Sequence, residues 1–411
     1  MKGPGWFAAW LTAAVIANGQ ATPPKSWVDP DTGHRVVRLT DEPNSASLYF
    51  NETAFTADRK GMVYITRDGI SLLDLDSLKS KPVVQGRVRV IAAGAKTRSV
   101  YYIKNDDHAL YSTDIDTGQT TKLATLPAQR DANIAAINAD ETLAAGTYIE
   151  GGPAPANAAA ETQNHPLEQP RNKGEMMERR LAARLPLVLY TVNLKTGEIK
   201  PILHSTDWVN HLLFSPTDPT LLMYCHEGPW HKVDRIWTIR TDGTENTLIH
   251  KRRMAMEIAG HEFWSADGKT IWYDLQTPRS EDFWVAGYEI ATGRRTWYHL
   301  QRNEWSIHFN VSQDGSLFCG DGGDPGQVAK AADGEWIYLF HPELIASKGM
   351  DTPELIHPGV FHSERLVNMS KHNYHLEPNV RFTPDKKWVI FRSNMFGPTY
   401  VFAVEVAKTT S

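Results

Sequence analysis

Five polar residues of this sequence recur at one place in a repeated pattern. Glu52, His211, His261, His308 and Asn379 each stand three positions before a bulky apolar residue, namely Phe55, Phe214, Trp264, Val311 and Phe382, which leads into a polar turn and an apolar strand. Three imidazoles, a carboxylate and an amide at equivalent positions offer nitrogen and oxygen donors to a divalent metal, or a base and hydrogen bonds to an anionic substrate. A lone histidine at a strand start is commonly a turn or core hydrogen-bonder; three at one register point to a shared site. Close by lie Glu377, two residues before Asn379, and the run His372-Asn373-Tyr374-His375, which read alone is also compatible with a solvated loop. A second cluster, His226 to Trp237, contains Arg235, whose planar fork matches a carboxylate. Arg235 could instead staple its own loop through Asp234 or Glu227.

The elements that must bring these residues together are legible from the stretch Gly260 to Tyr273. It reads as a polar entry, a bulky apolar residue, a Ser-x-Asp-Gly turn and an apolar strand. The same order returns at Phe55 to Asp58, in degenerate form at Ala92 to Tyr102, at Ile137 to Asp140, Phe214 to Asp218, Val311 to Gly315 and Phe382 to Asp385. Most copies continue into a second alternating strand and turn, as at Leu110 to Thr117 or Val285 to Gly293. Spacings of about 40 to 50 residues are the signature of one four-stranded sheet per copy, so seven copies predict an all-β, seven-bladed β-propeller. The first strand of each blade borders the central channel, which is why one register of that strand converges near the axis. Arg35 to Leu39 precedes the first copy and is placed to complete the blade containing Tyr400 to Val406, tying the chain ends together. On this reading residues 22–411 are a single propeller domain with insertions at about 151–186 and 320–376. The first insertion holds a helix over Lys173 to Arg184, ended by Pro186; either could wall or cover a binding face.

Composition narrows the function. The chain is 41% apolar and 22% charged, as expected of a soluble globular protein, and its 13 Trp, 14 Tyr and 14 Phe suit sugar rings as well as β packing. A net charge of -5 without a basic stripe argues against nucleic acid. Residues 1–21 read as a signal peptide, with Lys2, the apolar run Trp6 to Ala17 and small residues before Pro23, and no segment is long and apolar enough for membrane insertion; the mature protein is expected to be secreted or periplasmic. Cys225 and Cys319 have no metal-type spacing and are expected to be buried free thiols. The glycine-rich loop Gly320 to Gly326 lacks the Gly-Lys-Ser/Thr ending of a phosphate cradle, and there is no Gly-x-Ser-x-Gly elbow.

Residues 208–398 resemble the oligogalacturonate lyases, seven-bladed propeller enzymes that cleave short pectin fragments by β-elimination. The likeness rests on His226 to Trp237, Met256 to Trp264, Glu304 to Ser312, Gly320 to Pro325 and Phe382 to Gly397, and more loosely on Leu48 to Thr56 and Arg180 to Tyr190. The resemblance implies that His261 is the base, that Arg235 neutralises the substrate carboxylate, and that His308 is a metal ligand. The family's other ligands are a Gln and a His-Pro-His segment before the last blade's turn. Here Glu377-Pro378-Asn379 stands on His-Pro-His and Tyr374 on the Gln. That oxygen-rich set favours Ca²⁺ or Mn²⁺, unless His375 is recruited or the substrate is a different uronide. His211, Glu52, Arg184 and His375 are expected to bind substrate.

The expected chemistry is removal of the C5 proton of a uronic acid by histidine, with the carboxylate charge offset by Arg235 or a divalent metal, followed by loss of the O4 leaving group. A non-catalytic periplasmic propeller that binds sugar or protein is the alternative of a different class. A glycoside hydrolase would need two carboxylates at set separation, and among Glu52, Glu262 and Glu377 no pair stands out.

Overall fold

The polar turn that defines the repeat is held by its own side chains. In a computed structural model, which describes residues 23–408 apart from 105, 154–171, 350, 351 and 353, the hydroxyls of Thr56, Ser265, Ser312 and Thr383 each accept from the backbone N–H five residues on. Each hydroxyl also donates to the Asp two residues on, at 2.6 to 2.8 Å. The Ser/Thr-x-Asp spacing thus closes the loop between first and second strands and sets where the next apolar run begins. Gly268, at φ +69, supplies the left-handed residue that the turn of the fifth copy needs.

The described residues form seven blades in chain order, the fifth and sixth joined in one eight-stranded sheet. Blade 1 runs from Ala46–Ser47 to Ser80–Gln85, blade 2 from Val88–Ala93 to Thr120–Thr125, blade 3 from Gln129–Ile137 to Ile199–Ser205 and blade 4 from Trp208–Phe214 to Thr247–Leu248. Blade 5 comprises Ile258–Trp264, Thr270–Gln276, Phe283–Glu289 and Arg295–Leu300; blade 6 comprises Phe309–Val311, Phe318–Gly320, Trp336–Leu344 and Ile356–Asn368. Blade 7 joins Arg381–Phe382, Trp388–Ser393 and Tyr400–Glu405 to Arg35–Arg38 and Ser26–Val28. The N-terminal strand pairs antiparallel with the C-terminal one, Val37 opposite Ala403, so the ring closes where the sequence places the closure. The strands bury both faces between neighbouring blades, as in Leu221–Glu227, where only His226 is not fully buried. Tyr64, Tyr102, Tyr224 and Tyr273 occupy the second strands of four blades and are at most 1% exposed. Their hydroxyls are satisfied by Glu42, Thr113, Asn246 and His250, so the repeat buries a large ring without orphaning its polar tip.

One expectation changes. Most of 320–376 is not an excursion over a face: it supplies the third and fourth strands of blade 6, and Ile356–Asn368 also pairs in parallel with Arg295–Leu300 of blade 5. The interval is long because those strands reach 9 and 13 residues. The predicted helix is present over Lys173–Ala183, capped by the Asn172 side chain, with Arg184 left-handed at its end; the linker at 154–171 and the signal peptide lie outside the described residues. Cys225 and Cys319 are buried and free. Among the described residues no helix is long and apolar enough to cross a membrane.

Candidate active site

The first strands of blades 4 and 5 slip register just where their histidines stand, between Asn210 and Leu213 and between Gly260 and Phe263. His211 and His261 both sit at φ +47 and Asn379 at φ +57. A non-glycine residue in this conformation costs on the order of 1–3 kcal/mol, and such strain is characteristic of functional positions. The bulge is the local reason the side chains leave the blade interior and turn to the channel.

Each histidine is paired with a carboxylate from its blade's second strand or the residue after it. His211 Nε2 lies 3.1 Å from Glu227, His261 Nδ1 lies 3.1 Å from Asp274, and His308 Nδ1 lies 2.8 Å from Asp321. His308 is fully buried; Asp321 also accepts from the backbone N–H groups of His308 and Asn379, so three donors fix it. The other ring nitrogen of His308, Nε2, is hydrogen-bonded to the Tyr49 hydroxyl at 3.1 Å and lies 3.7 Å from the half-exposed Glu377 carboxylate. The His261 and His308 rings are 4.9 Å apart. Burial pushes His261 down, but the Asp274 carboxylate more than offsets this, and the imidazole is raised above its ordinary value.

Arg235 is buried between two carboxylates, Nη1 at 2.7 Å from Glu227 and Nε at 3.2 Å from Glu262. Its guanidinium lies 4.8 Å from the Trp230 ring, which in turn meets His261 edge-on at 5.1 Å. A β-carbon on residue 260 would stand 2.7 Å from that ring, so Gly260 is what lets Trp230 approach. Tyr49 and Phe50 arrive on a loop that interrupts the first strand of blade 1, with Phe50 4.5 Å from the His308 ring. Arg381 holds this loop through the carbonyls of Leu48, Tyr49 and Glu52. Behind the loop the channel widens to a cavity of about 380 Å³ lined by the turn ends of the blades.

A sequence profile of oligogalacturonate lyases matches residues 22–410. The chain belongs to the oligogalacturonate lyase family. It is therefore a carbon–oxygen lyase of the kind that acts on polysaccharides. It is 25% identical over 398 residues to an oligogalacturonide lyase of Pectobacterium atrosepticum, covering 93% of this chain and 95% of that one. To an oligogalacturonate lyase of Dickeya dadantii it is 24% identical over 399 residues, with the same coverage. In fold it is similar to an oligogalacturonate lyase solved in complex with manganese, with a TM-score of 0.72 at 23% identity over 93% and 96% of the two chains. The oligogalacturonate lyase of Vibrio parahaemolyticus gives 0.73 at 22% over the same shares.

In this lyase the residues expected to carry function fall into three groups. His261, His308, Arg235, His211 and Glu377 converge, linked by the contacts above. Asn379 and Tyr374 lie behind that cluster: with its carboxamide oxygen turned to Arg392, Asn379 accepts from Nε at 3.1 Å and Nη2 at 2.7 Å, and the Tyr374 hydroxyl donates to the Asp321 carbonyl. Neither is drawn to His308 Nε2. The rest lie apart. Glu52 turns back to accept from the Tyr49 N–H at 3.0 Å and is raised by burial; Arg184 pairs with Asp207 at the helix end; His375 is exposed, its backbone N–H bonded to Asn373. Asp234, the other staple considered for Arg235, pairs with Arg252. Sequence reasoning missed Tyr49, Asp274, Asp321, Arg392 and the second role of Glu262. Asp274 and Asp321 did leave a signal, each following its histidine by 13 residues.

Proposed function

We propose that the chain is an exported lyase that cleaves short uronic-acid oligosaccharides, oligogalacturonate foremost, by β-elimination to 4,5-unsaturated products. The observation that carries this reading is His261: its Nδ1 is held by the buried Asp274, its Nε2 is left to work, and the Trp230-stacked guanidinium of Arg235 lies beside it. Nε2 takes the C5 proton, the electron pair left at C5 forms the C4=C5 double bond, and the C4–O4 bond breaks, O4 leaving with its electron pair and taking a proton from water. Arg235 faces the carboxylate through Nη2, which among the described residues makes no hydrogen bond, and opposes the charge that grows there as C5 is deprotonated.

The charge balance of the site favours a divalent cation. Among the described residues Glu227, Glu262, Asp274, Asp321 and Glu377 have, besides the three histidines, only Arg235 and Arg392 to offset them, and the buried oxygens Glu262 Oε1 and Asp274 Oδ2 have no hydrogen-bond partner. An anionic sugar entering so acidic a site needs further positive charge. The residues fit such an ion: His308 Nε2, oriented by Asp321 as a ligating imidazole is by its carboxylate, and the Glu377 oxygen converge on one point. The nitrogen donor argues for manganese over calcium. When bound, the ion would draw charge from the substrate carboxylate and make C5–H more acidic. Export rests on residues 1–21 and is read by N-terminal sequencing of protein recovered from a bacterial periplasm.

The test is ultraviolet absorbance of the unsaturated product on oligogalacturonate and other uronides, with chelator and with manganese restored. His261→Ala is expected to abolish turnover with the fold intact. No product from any uronide by folded, manganese-loaded protein would overturn the proposal.

A further inference from the structure

The chemistry above lies on blades 4 to 7. At the same register, three before Ala93 and three before Ile137, blades 2 and 3 carry Val90 and Ile134, both buried and apolar. They cannot bind a charged sugar. What reaches this wall is Arg89, the residue before Val90 in the strand Val88–Ala93. Its Nη2 donates to the Ile134 carbonyl at 2.6 Å, which carries the guanidinium across the face of blade 3 at the level of the histidines. Its charge also acts on the carboxyl of Glu52, the register residue of blade 1. The residue is exposed, and among the described residues no carboxylate lies within ion-pairing distance of it.

An arginine beside a channel is ordinarily paired or free to swing into water. This one is oriented by a backbone carbonyl yet keeps the rest of its fork unengaged, the arrangement that binds a carboxylate through two parallel N–H groups. A substrate with a carboxylate on every ring presents a second charge displaced from the one at the reacting C5, and among the described residues nothing else on the blade 2 and 3 wall at this level is cationic.

We propose that Arg89 binds the carboxylate of a second uronate, adjacent to the ring attacked at C5, and so makes the enzyme selective for chains of consecutive uronates. This rests on the lyase reading of His261 and Arg235.

The experiment compares wild type, Arg89→Gln and Arg89→Lys on unsubstituted trigalacturonate and on trigalacturonate methyl-esterified on the ring next to the cleavage site. For Arg89→Gln, KM on the free acid is expected to rise about 10- to 100-fold, as for loss of one charge-assisted bidentate contact, with kcat changed less than about threefold. Arg89→Lys should recover part of that rise. The methyl ester should penalise wild type by a similar factor and Arg89→Gln hardly at all. Binding of the free acid to each variant is measured in parallel by calorimetry. Equal KM and equal affinity in wild type and Arg89→Gln, or equal sensitivity of both to the ester, would overturn the assignment. If wild type turns over no uronide, the lyase reading falls, and the calorimetric ratio still decides whether Arg89 holds a carboxylate. Unchanged unfolding midpoints exclude a folding defect as the cause.

Discussion

Replacing Arg235 by methionine separates its structural from its chemical duty. The guanidinium is 3% exposed and bridges Glu227 and Glu262, themselves 6% and 2% exposed. Methionine fills similar volume but leaves Glu262 with both oxygens unpartnered, since Oε1 already has none, while Glu227 retains His211 and Trp230. Removing one partner of a buried ion pair costs about 3–5 kcal/mol, because the surviving charge stays desolvated. The greater part should fall on Glu262. Adding Glu262→Gln to Arg235→Met is therefore expected to recover about half of the loss, roughly 1.5–2.5 kcal/mol on the same scale.

Urea unfolding of the wild type and the single and double variants measures these differences, with turnover followed on the same preparations. Both variants should lack activity, because neither retains the guanidinium that opposes the charge growing on the substrate carboxylate. Stability restored in the double variant without activity would establish the two duties. An Arg235→Met protein as stable as wild type, or a double variant no more stable than the single one, would refute the claim that the guanidinium neutralises a buried pair.

Three further predictions rest on the same contacts. Because His261 is raised chiefly by Asp274 against burial, the acidic limb of kcat/KM, where the base becomes protonated, should move to lower pH in Asp274→Asn by about 1–2 units, the equivalent of one charged hydrogen bond; an unmoved limb would remove His261 from the base role. Burial raises the Glu227 carboxyl, but its bonds to His211 and Arg235 prevail and hold it well below the ordinary glutamate range. Its folded value being depressed, its stabilisation is complete above the ordinary range and is lost as pH falls below it, so Glu227→Gln should flatten the fall in unfolding midpoint between about pH 5 and pH 3. Arg381→Met frees the loop that carries Tyr49 and Phe50, and should lower kcat about 10- to 100-fold while Arg381→Lys restores part of it; equal kcat in all three proteins would show that the loop holds its place unaided.

The sequence announces what the repeat imposes. The turn hydroxyls and aspartates recur because every blade needs its first loop closed, and the register of His211, His261 and His308 follows from counting back from them. What it conceals is whatever the repeat does not dictate. Tyr49 enters from a gap in a first strand, where the template predicts none, and Arg381 reaches across to three of that gap's carbonyls. Glu262 follows His261 and so points to the other side of its strand, toward blade 4, where it finds Arg235. Asn379 keeps the register and the strained backbone, but Arg392 claims its oxygen. That rearrangement is decided by a side chain on the second strand and leaves no mark in the Glu377-Pro378-Asn379 spacing.

The three histidine–carboxylate pairs come from one structural device, yet their chemistry differs because their carboxylates are shared differently. Glu227 divides its charge between His211 and Arg235, so it anchors the guanidinium more than it activates the imidazole. Asp321 is saturated by three N–H groups, two of them backbone, and its effect is to fix the His308 ring with Nε2 toward Glu377. Among the described residues Asp274 gives one oxygen to His261 and nothing to a lysine or arginine, its second oxygen lying buried without a hydrogen-bond partner. Its whole charge therefore acts on one imidazole. That charge raises His261, and in the proposed mechanism three copies of one repeat serve as an anchor, a base and a ligand.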